Sequence, residues 1–326
     1  MNYLDRILLK KGEETDLFRQ KPRHYGQANR DKTLYYIEEN NKNLGFFAMY
    51  RYWLEYLYFA DICGYTPLIC AGDKFAYREK NRIGKTDNPF EYYFEQPAGV
   101  NPYEAKLSNR VILSDTMHRE MVELIFTGKT NNYKYNKMYL YTMGKMVKKY
   151  LKFSNETKKY IDINLKKIGI DNSKVLGVHA RGTDFRAKYN NHPVYIEEEH
   201  YFTNIDRFLE SNSYSQIFVA TDDSNLLNNF IKRYGKRINF YDDVERSSSK
   251  RSVAFSNSNR NQHKYLLGLE VIRDMYTLSL CSDLIAGTSQ VSICAQINKI
   301  ARNERYGNIK IIDKGLYRNS HQFIRG

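Results

Sequence analysis

The chain has 326 residues, with 51 lysines and arginines against 37 acidic residues and a formal net charge of +14. Its 42% hydrophobic residues exclude wholesale disorder, and its 6 prolines and 18 glycines exclude a collagen-like or low-complexity chain. No apolar run approaches the roughly 18 residues of a membrane span, and residues 1–16 contain acids and only a short apolar run, unlike a secretory signal.

The length predicts two domains, at roughly 150 residues per domain. The basic excess admits three partner classes: nucleic acid, an anionic membrane surface or a phosphorylated small substrate. No cysteine lies in a C-x-x-C pair or at a zinc-ligand offset from a histidine. We therefore expect buried free thiols in a reducing cytoplasm, with no metal, at Cys63, Cys70, Cys281 and Cys294.

In the first half, residues 43–62 read as a loop that enters a helix at Gly45, because apolar residues recur there at three- and four-residue spacing. Gly64 is expected to end that helix, and Thr66–Ala71 reads as a buried strand. Residues 88–97 read as an aromatic loop. Residues 99–168 read mostly as helix, and the lysines of 145–167 are expected to form a solvated helix face.

After Gly169, short apolar runs alternate with helical patterns, which predicts parallel βαβ units and a doubly wound sheet. Residues 245–262 read as a mobile loop. We place the domain boundary near 165–172, giving domains 1–168 and 169–326. The expected strands are 175–179, 217–220, 237–241, 283–286 and 309–312, and the expected helices are 201–209, 226–234, 266–280 and 291–300.

Ligands of open parallel sheets bind just beyond the carboxyl ends of the strands. Arg181 follows the first of these strands and has the geometry for bidentate phosphate binding. The Gly-Thr-Ser-Gln turn at 287–290 opens a helix, whose free N–H groups bind anions. Asp222 or Asp274 could accept a hydrogen bond from a guanine or a ribose hydroxyl. The pattern predicts a nucleotide diphosphate site without a G-x-G-x-x-G or a Walker A motif.

Purely structural interpretations remain open for the same residues. Asp222 and Asp223 could cap the following helix, and Thr288 and Ser289 could be caps as well. His179 could be a core histidine, Arg181 could form a structural pair with Asp184, and Asp274 could be a solvated surface acid.

Three motifs in order carry a family resemblance: Gly-Val-His-Ala-Arg-Gly-Thr-Asp at 177–184, Ile-Phe-Val-Ala-Thr-Asp-Asp at 217–223, and the segment 273–292. Together they resemble the α1,6- and protein-O-fucosyltransferase superfamily over residues 175–300. Asn-Leu-Gly-Phe-Phe at 43–47, with Gly45, extends the resemblance to the donor site. It implies an α/β GT-B fold of two facing Rossmann-like domains, GDP-fucose as donor, inversion of the anomeric centre, and neither metal nor other cofactor.

The resemblance also assigns roles by position. Arg181 matches the essential arginine that contacts the β-phosphate, and His179 matches a histidine on the guanine side of the donor. Asp184 matches the motif aspartate. Asp274 matches the aspartate that reads guanine, and Ser289 and Gln290 match the pair that holds the diphosphate.

Two positions depart from the family pattern. The motif usually has two adjacent arginines, and here the second is Gly182, so that a phosphate or fucose contact is lost or is supplied by Arg186 or Lys188. The family's glutamate base falls near Tyr189, so no base transfers; the nearest candidates are in the run Glu197–Glu199.

The predicted function is fucose transfer from GDP-fucose to a hydroxyl of a glycan, such as a surface polysaccharide or lipid-linked oligosaccharide. The expected location is the bacterial cytoplasm, with or without peripheral contact of the lysines in 145–167 with the inner, anionic membrane face. The alternatives are a degenerate nucleotide- or carbohydrate-binding protein and a transferase for another nucleotide sugar. A nucleic-acid binder is disfavoured, because the lysines are spread and no known motif is present.

Overall fold

The computed structural model describes residues 21–39, 44–127, 133–170, 174–248 and 258–318. The chain forms two compact units. One comprises the residues up to Leu44 with Ala48–Ser154, and the other comprises Gly45–Phe47 with the residues from Asn155 onward. The mobile loop predicted at 245–262 lies in part, at 249–257, outside the described residues.

The first unit contains a three-stranded parallel sheet in the order β2-β1-β3. Two of its strands, β1 and β3, were not expected. Gly64, with a φ of 68°, ends the first helix as predicted, because a residue without a Cβ adopts this left-handed conformation at little cost. The elements are β1 (Leu34–Glu39), α1 (Phe46–Cys63), β2 (Thr66–Ala71), β3 (Val111–Leu113), α2 (Thr116–Thr127) and α3 (Lys137–Tyr150).

The second unit is built on a five-stranded parallel sheet in the order β6-β5-β4-β7-β8. Its first strand is central, and the later strands extend first to one side and then to the other. The elements are α4 (Asn155–Ile168), β4 (Val175–Ala180), α5 (Glu198–Ser211), β5 (Gln216–Thr221), α6 (Ser224–Tyr234), β6 (Ile238–Asn239), α7 (His263–Leu280), β7 (Asp283–Gly287), α8 (Gln290–Ala301) and β8 (Ile309–Ile312).

The strands of this sheet read as continuous apolar runs because both of its faces are covered. All six residues of β4 and all five of β7 are buried, as is typical of parallel sheets in α/β proteins. The predicted class, α/β with a parallel sheet in each of two Rossmann-like domains, is confirmed. The strand expected at 237–241 is shorter, Ile238–Asn239, since only Ile217 and Phe218 of β5 pair with it.

The boundary between the units lies between Ser154 and Asn155, earlier than the expected 168/169. The reason is that α4 packs on α7 of the second unit. The fully buried Arg273 of α7 donates to Asn164 Oδ1 over 2.9 Å and lies 5.1 Å from the Tyr160 ring. Asp243 Oδ2 accepts a further hydrogen bond from the Arg273 guanidinium.

The cysteines depart in part from the expected burial, whereas the lysines match the expected exposure. None of the four cysteines forms a disulfide; Cys281 and Cys294 are buried, as expected, whereas Cys63 is exposed and Cys70 is partly buried. The lysines of α3 and α4 are exposed as expected, while their contact with anionic lipid stays a prediction. Across the described residues, no helix combines the length and apolar character that a membrane crossing requires.

Candidate active site

The second sheet changes its direction of growth between β4 and β7, so a crevice opens at the carboxyl ends of these two strands. His179 near the end of β4 and Ser289 after β7 meet there, with 3.2 Å between His179 Nδ1 and Ser289 Oγ. His179 is buried, and burial together with the neighbouring Arg181 lowers its pKa to about 4. The imidazole is therefore neutral at pH 7.

Arg181 lies next to this crevice and is held by two carboxylates. Its Nη2 is 2.9 Å from Asp184 Oδ1, and its Nη1 is 2.9 Å from Asp222 Oδ2. The side chain remains 26% exposed. The structural pair with Asp184 thus exists, and it fixes the planar guanidinium at the crevice rather than removing it from solvent.

The two aspartates after β5 have different functions. Asp223 is the N-cap of α6 and accepts from the backbone N–H groups of Asn225 and Leu226. Asp222 instead accepts from Gly182 N over 3.0 Å. Burial raises the pKa of Asp222, but the charge of Arg181 and the hydrogen bonds from Thr183 Oγ1 and Gly182 N outweigh this effect and hold the pKa below its ordinary value. The capping interpretation therefore holds for Asp223, and Asp222 belongs to the arginine cluster.

The glycine in place of the second motif arginine has a steric cause. A Cβ on Gly182 would lie 2.3 Å from Asp223 Cβ, closer than any side chain permits. Arg186, one turn further on, binds the same aspartate, with Nη1 2.8 Å from Asp223 Oδ2. Its Nη2 also donates to Tyr195 Oη over 2.9 Å. Arg186 thus supplies a second guanidinium beside Arg181. It comes from position 186 and not from position 182, where the family motif has its second arginine.

The N-terminus of α8 forms the opposite wall of the crevice. Ser289 caps it: its Oγ accepts from Ser292 N over 3.1 Å in a capping box. Gln290 is the first residue of the helix. The Thr288 hydroxyl is buried and has no hydrogen-bond partner, which is costly unless a ligand provides one. Ser289 is a cap, as the structural interpretation held, and it also contacts His179.

Asp274 belongs to a neighbouring buried cluster in α7 and is not a surface acid. Burial raises its pKa to about 7, against the effect of Arg273 and Arg246. The cluster adjoins the arginine site, because Ser247, next to Arg246, donates its N–H to the Asp222 carbonyl over 3.0 Å. Gly45 lies directly before α1 and groups with the second unit.

Sequence reasoning missed the aromatic and C-terminal contributions to this region. Tyr195 is bound to Arg186, and Tyr317 Oη accepts from Tyr195 N over 3.2 Å. No motif marks these residues, since tertiary pairing of distant segments brings them together. In the described ranges, no group of three or more His, Cys, Asp or Glu side chains has a metal-binding arrangement.

An arginine and a helix N-terminus at the switch point of a parallel α/β unit are an arrangement that is suited to binding an anionic group. The family described as alpha-(1,6)-fucosyltransferase N- and catalytic domains matches residues 132–302, more than half of the chain. The chain belongs to this family and is a glycosyltransferase. A comparison with curated protein sequences gives no significant match.

Solved fucosyltransferase structures are similar at low identity. The fucosyltransferase NodZ from Bradyrhizobium is 15% identical, with a TM-score of 0.49, over 83% of this chain and 93% of that one. NodZ alpha-1,6-fucosyltransferase co-crystallized with GDP gives the same identity and TM-score, over 83% and 92% of the two chains. POFUT1 in complex with GDP-fucose is 10% identical, with a TM-score of 0.44, over 88% and 99%. The family assignment rests on the sequence match alone.

Proposed function

We propose that this chain transfers fucose from GDP-fucose to a hydroxyl of a glycan, with inversion at the anomeric carbon and without a metal ion. The observation that carries the proposal is the convergence of Arg181 and the α8 N-terminus on one crevice, in a chain of the fucosyltransferase family. A cationic fork and free helix N–H groups are the partners that a diphosphate prefers.

In this proposal the diphosphate lies between Arg181 and the first turn of α8. The unpartnered Thr288 hydroxyl donates to a phosphate oxygen, and Gln290 contacts the same group from the first helical position. His179 positions Ser289 through the 3.2 Å contact between His179 Nδ1 and Ser289 Oγ. Asp184 and Asp222 orient the guanidinium of Arg181 and do not touch the donor.

The reaction forms one bond and breaks one. An acceptor hydroxyl oxygen attacks the anomeric carbon of fucose from the face opposite the diphosphate, which inverts that centre. The bond between the anomeric carbon and the phosphate oxygen breaks, and its electron pair leaves with GDP. Arg181 and the α8 N-terminus stabilise the negative charge that develops on the leaving group. A carboxylate takes the acceptor proton. Because the protein supplies the positive charge, the proposal needs no metal.

The experiment that tests the proposal measures release of GDP from GDP-fucose, with a mixture of glycans as acceptors, in buffer with and without EDTA. We expect the same rate in both buffers and a product of inverted anomeric configuration. Activity that requires added Mn²⁺, or a product that retains the configuration, would contradict it. Binding of GDP-fucose without any release of GDP would identify a degenerate binding protein.

The proposal assigns Asp274 to guanine, which gives a pH prediction. The folded pKa of about 7 exceeds the ordinary 3.8, so the folded chain keeps a proton that the unfolded chain loses. This contribution to stability is complete below about pH 4 and is lost as the pH rises through about 7. The slope does not exceed about 1.4 kcal/mol per pH unit. The Asp274→Asn variant should lack this slope.

Guanine presents two N–H donors, which an ionised carboxylate accepts and a protonated one accepts poorly. We therefore expect the affinity for GDP to increase between pH 6 and pH 8 in the wild type and to stay flat in Asp274→Asn. Urea denaturation and calorimetric GDP titration across this range measure both effects. Equal pH dependence of GDP affinity in the two proteins would contradict the proposed contact between Asp274 and guanine.

A further inference from the structure

One part of the surface of the first unit combines exposed apolar side chains with arginines and lysines. It is formed by residues 21–31 and residues 102–110, and we call these two segments the aromatic-basic surface. Three large apolar side chains in it, at Tyr25, Tyr103 and Leu107, are 47%, 60% and 63% exposed. Large apolar side chains that are gathered on one exposed surface indicate an interaction site, whereas single scattered ones do not.

Backbone hydrogen bonds hold the two segments side by side. Tyr25 N donates to Ser108 O over 3.0 Å, and Ala28 N donates to Leu107 O over 2.9 Å. Gly26 lies between these two donors in the chain and allows the close approach, because a Cβ on it would lie only 2.8 Å from Leu107 C. The backbone therefore brings Tyr25 and Leu107 close together, with both side chains exposed.

The short 3₁₀ helix Pro102–Leu107 carries both Tyr103 and Leu107, and both side chains face solvent. A capping box fixes the start of this helix. Asn101 Oδ1 accepts from Tyr103 N over 2.9 Å, and Glu104 Oε1 accepts from Asn101 N over 3.3 Å. The exposed tyrosine and leucine are therefore carried on a well-defined turn, and the only acid of that turn is engaged by the cap.

The charge of the aromatic-basic surface is positive, with five exposed cations against two exposed acids, Asp31 and Glu104. A third acid at its edge, Asp87, accepts from Tyr103 Oη over 3.2 Å, and Arg82 lies near the same hydroxyl. Among the described residues, none of the five cations forms an ion pair with a carboxylate. These cations are Lys21, Arg23, Arg30, Lys106 and Arg110. Since the planar fork of an arginine binds phosphate in bidentate fashion, the surface is complementary to a layer of phosphate groups.

We propose that the aromatic-basic surface docks this protein on an anionic lipid bilayer. The arginines and lysines pair with lipid phosphates, the tyrosines lie at the depth of the headgroups, and Leu107 inserts among the acyl chains. A leucine exposed on a turn finds no apolar partner on a soluble polyanion, so the combination favours a bilayer over a nucleic acid or a free polysaccharide. The inference assigns docking to a different surface from the lysines of 145–167. It goes beyond the function proposed above, since it requires neither donor nor acceptor.

Co-sedimentation of the full chain with lipid vesicles tests the docking. Vesicles of phosphatidylcholine alone are compared with vesicles of equal parts phosphatidylcholine and phosphatidylglycerol, at low and at high salt. We expect binding to the anionic vesicles, weaker binding to them at high salt, and little binding to the neutral ones. No binding to the anionic vesicles, or equal binding to both kinds, would overturn the proposal.

Removal of two cations tests the surface itself. The double variant Arg23→Gln with Arg110→Gln should bind the anionic vesicles roughly 20-fold more weakly, at roughly fivefold per cation. The matched control, Lys145→Gln with Lys159→Gln, removes the same charge from exposed positions in the lysine-rich stretch and should bind nearly as the wild type does. A control that loses as much affinity as the first variant, or more, would overturn the assignment to the aromatic-basic surface.

A second double variant, Tyr25→Ser with Leu107→Ser, keeps every charge and removes the apolar side chains. Both positions are exposed, so we expect the fold to persist, which thermal melting checks. Binding to the anionic vesicles should weaken roughly tenfold, because the removed apolar area no longer leaves water on docking. Unchanged affinity would show attraction by charge alone, as toward a soluble polyanion, and would overturn the bilayer assignment. None of these assays contains GDP-fucose, so their failure leaves the function proposed above standing.

Discussion

Replacing Arg181 by alanine is expected to lower the rate of GDP release from GDP-fucose by roughly 10²-fold or more. The guanidinium is held by Asp184 and Asp222 with one quarter of its side chain exposed at the crevice. In the proposed reaction, this charge stabilises the diphosphate more strongly in the transition state than in the ground state, so kcat falls with kcat/KM. Steady-state kinetics with GDP-fucose measure the effect.

Two variants control for folding and for charge. Arg181→Ala also leaves the partly buried Asp222 without its cation, so thermal melting must accompany the kinetics. Arg181→Lys keeps the charge but loses the planar fork, and we expect intermediate activity. Arg233→Ala removes an exposed ion pair with Asp206 on the same unit and should leave turnover unchanged. Full activity in a folded Arg181→Ala protein would refute the role of Arg181.

Restoring the second motif arginine by Gly182→Arg is expected to destabilise the protein by about 3 kcal/mol and not to raise activity. The new Cβ would lie 2.3 Å from Asp223 Cβ and 2.4 Å from its Oδ2. Asp223 cannot move away freely, since it caps α6 and binds Arg186; loss of a cap alone costs about 1 kcal/mol. Urea denaturation of the variant and the wild type measures the difference.

Gly182→Ala separates the steric effect from the added charge, because it introduces only the Cβ. Most of the destabilisation should already appear in it. A cycle with Asp223→Gly should show strong coupling, since that substitution removes all the Asp223 atoms that a Cβ at position 182 would meet, including Asp223 Cβ. A Gly182→Arg protein as stable as the wild type and more active would show that the backbone accommodates the family pattern, and that Arg186 does not substitute for it.

The fold of the second unit was predictable because its strands are buried on both faces. The apolar runs at β4 and β7 stand out from the polar segments around them, and the structure extends each by only one residue. The strand β1 carries no such signal. Its sequence, LYYIEE, ends in two acids, and its strand character depends on pairing with β2 and β3, which local sequence does not encode.

The candidate site was likewise predictable from the sequence only in part. Residues at strand ends and helix starts were predictable, because parallel topology brings Arg181, Asp222 and Ser289 to one edge whatever their spacing. The separate functions of Asp222 and Asp223 were not predictable, since they depend on which carboxylate accepts from Gly182 N and which accepts from the first N–H groups of α6. The contact between Tyr195 and Tyr317 was not predictable either, because it forms only through pairing of residues 315–317 with 191–194.

The measurement that tests the central claim most directly is a thermal-shift comparison of GDP with UDP, CMP and TDP at equal concentrations. A ligand that binds the folded state raises its apparent stability according to its affinity. We predict that GDP gives the largest rise in Tm and that Arg181→Ala abolishes most of it. A larger rise with UDP, or no rise with any nucleotide, would contradict the assignment of this crevice to a GDP-sugar donor.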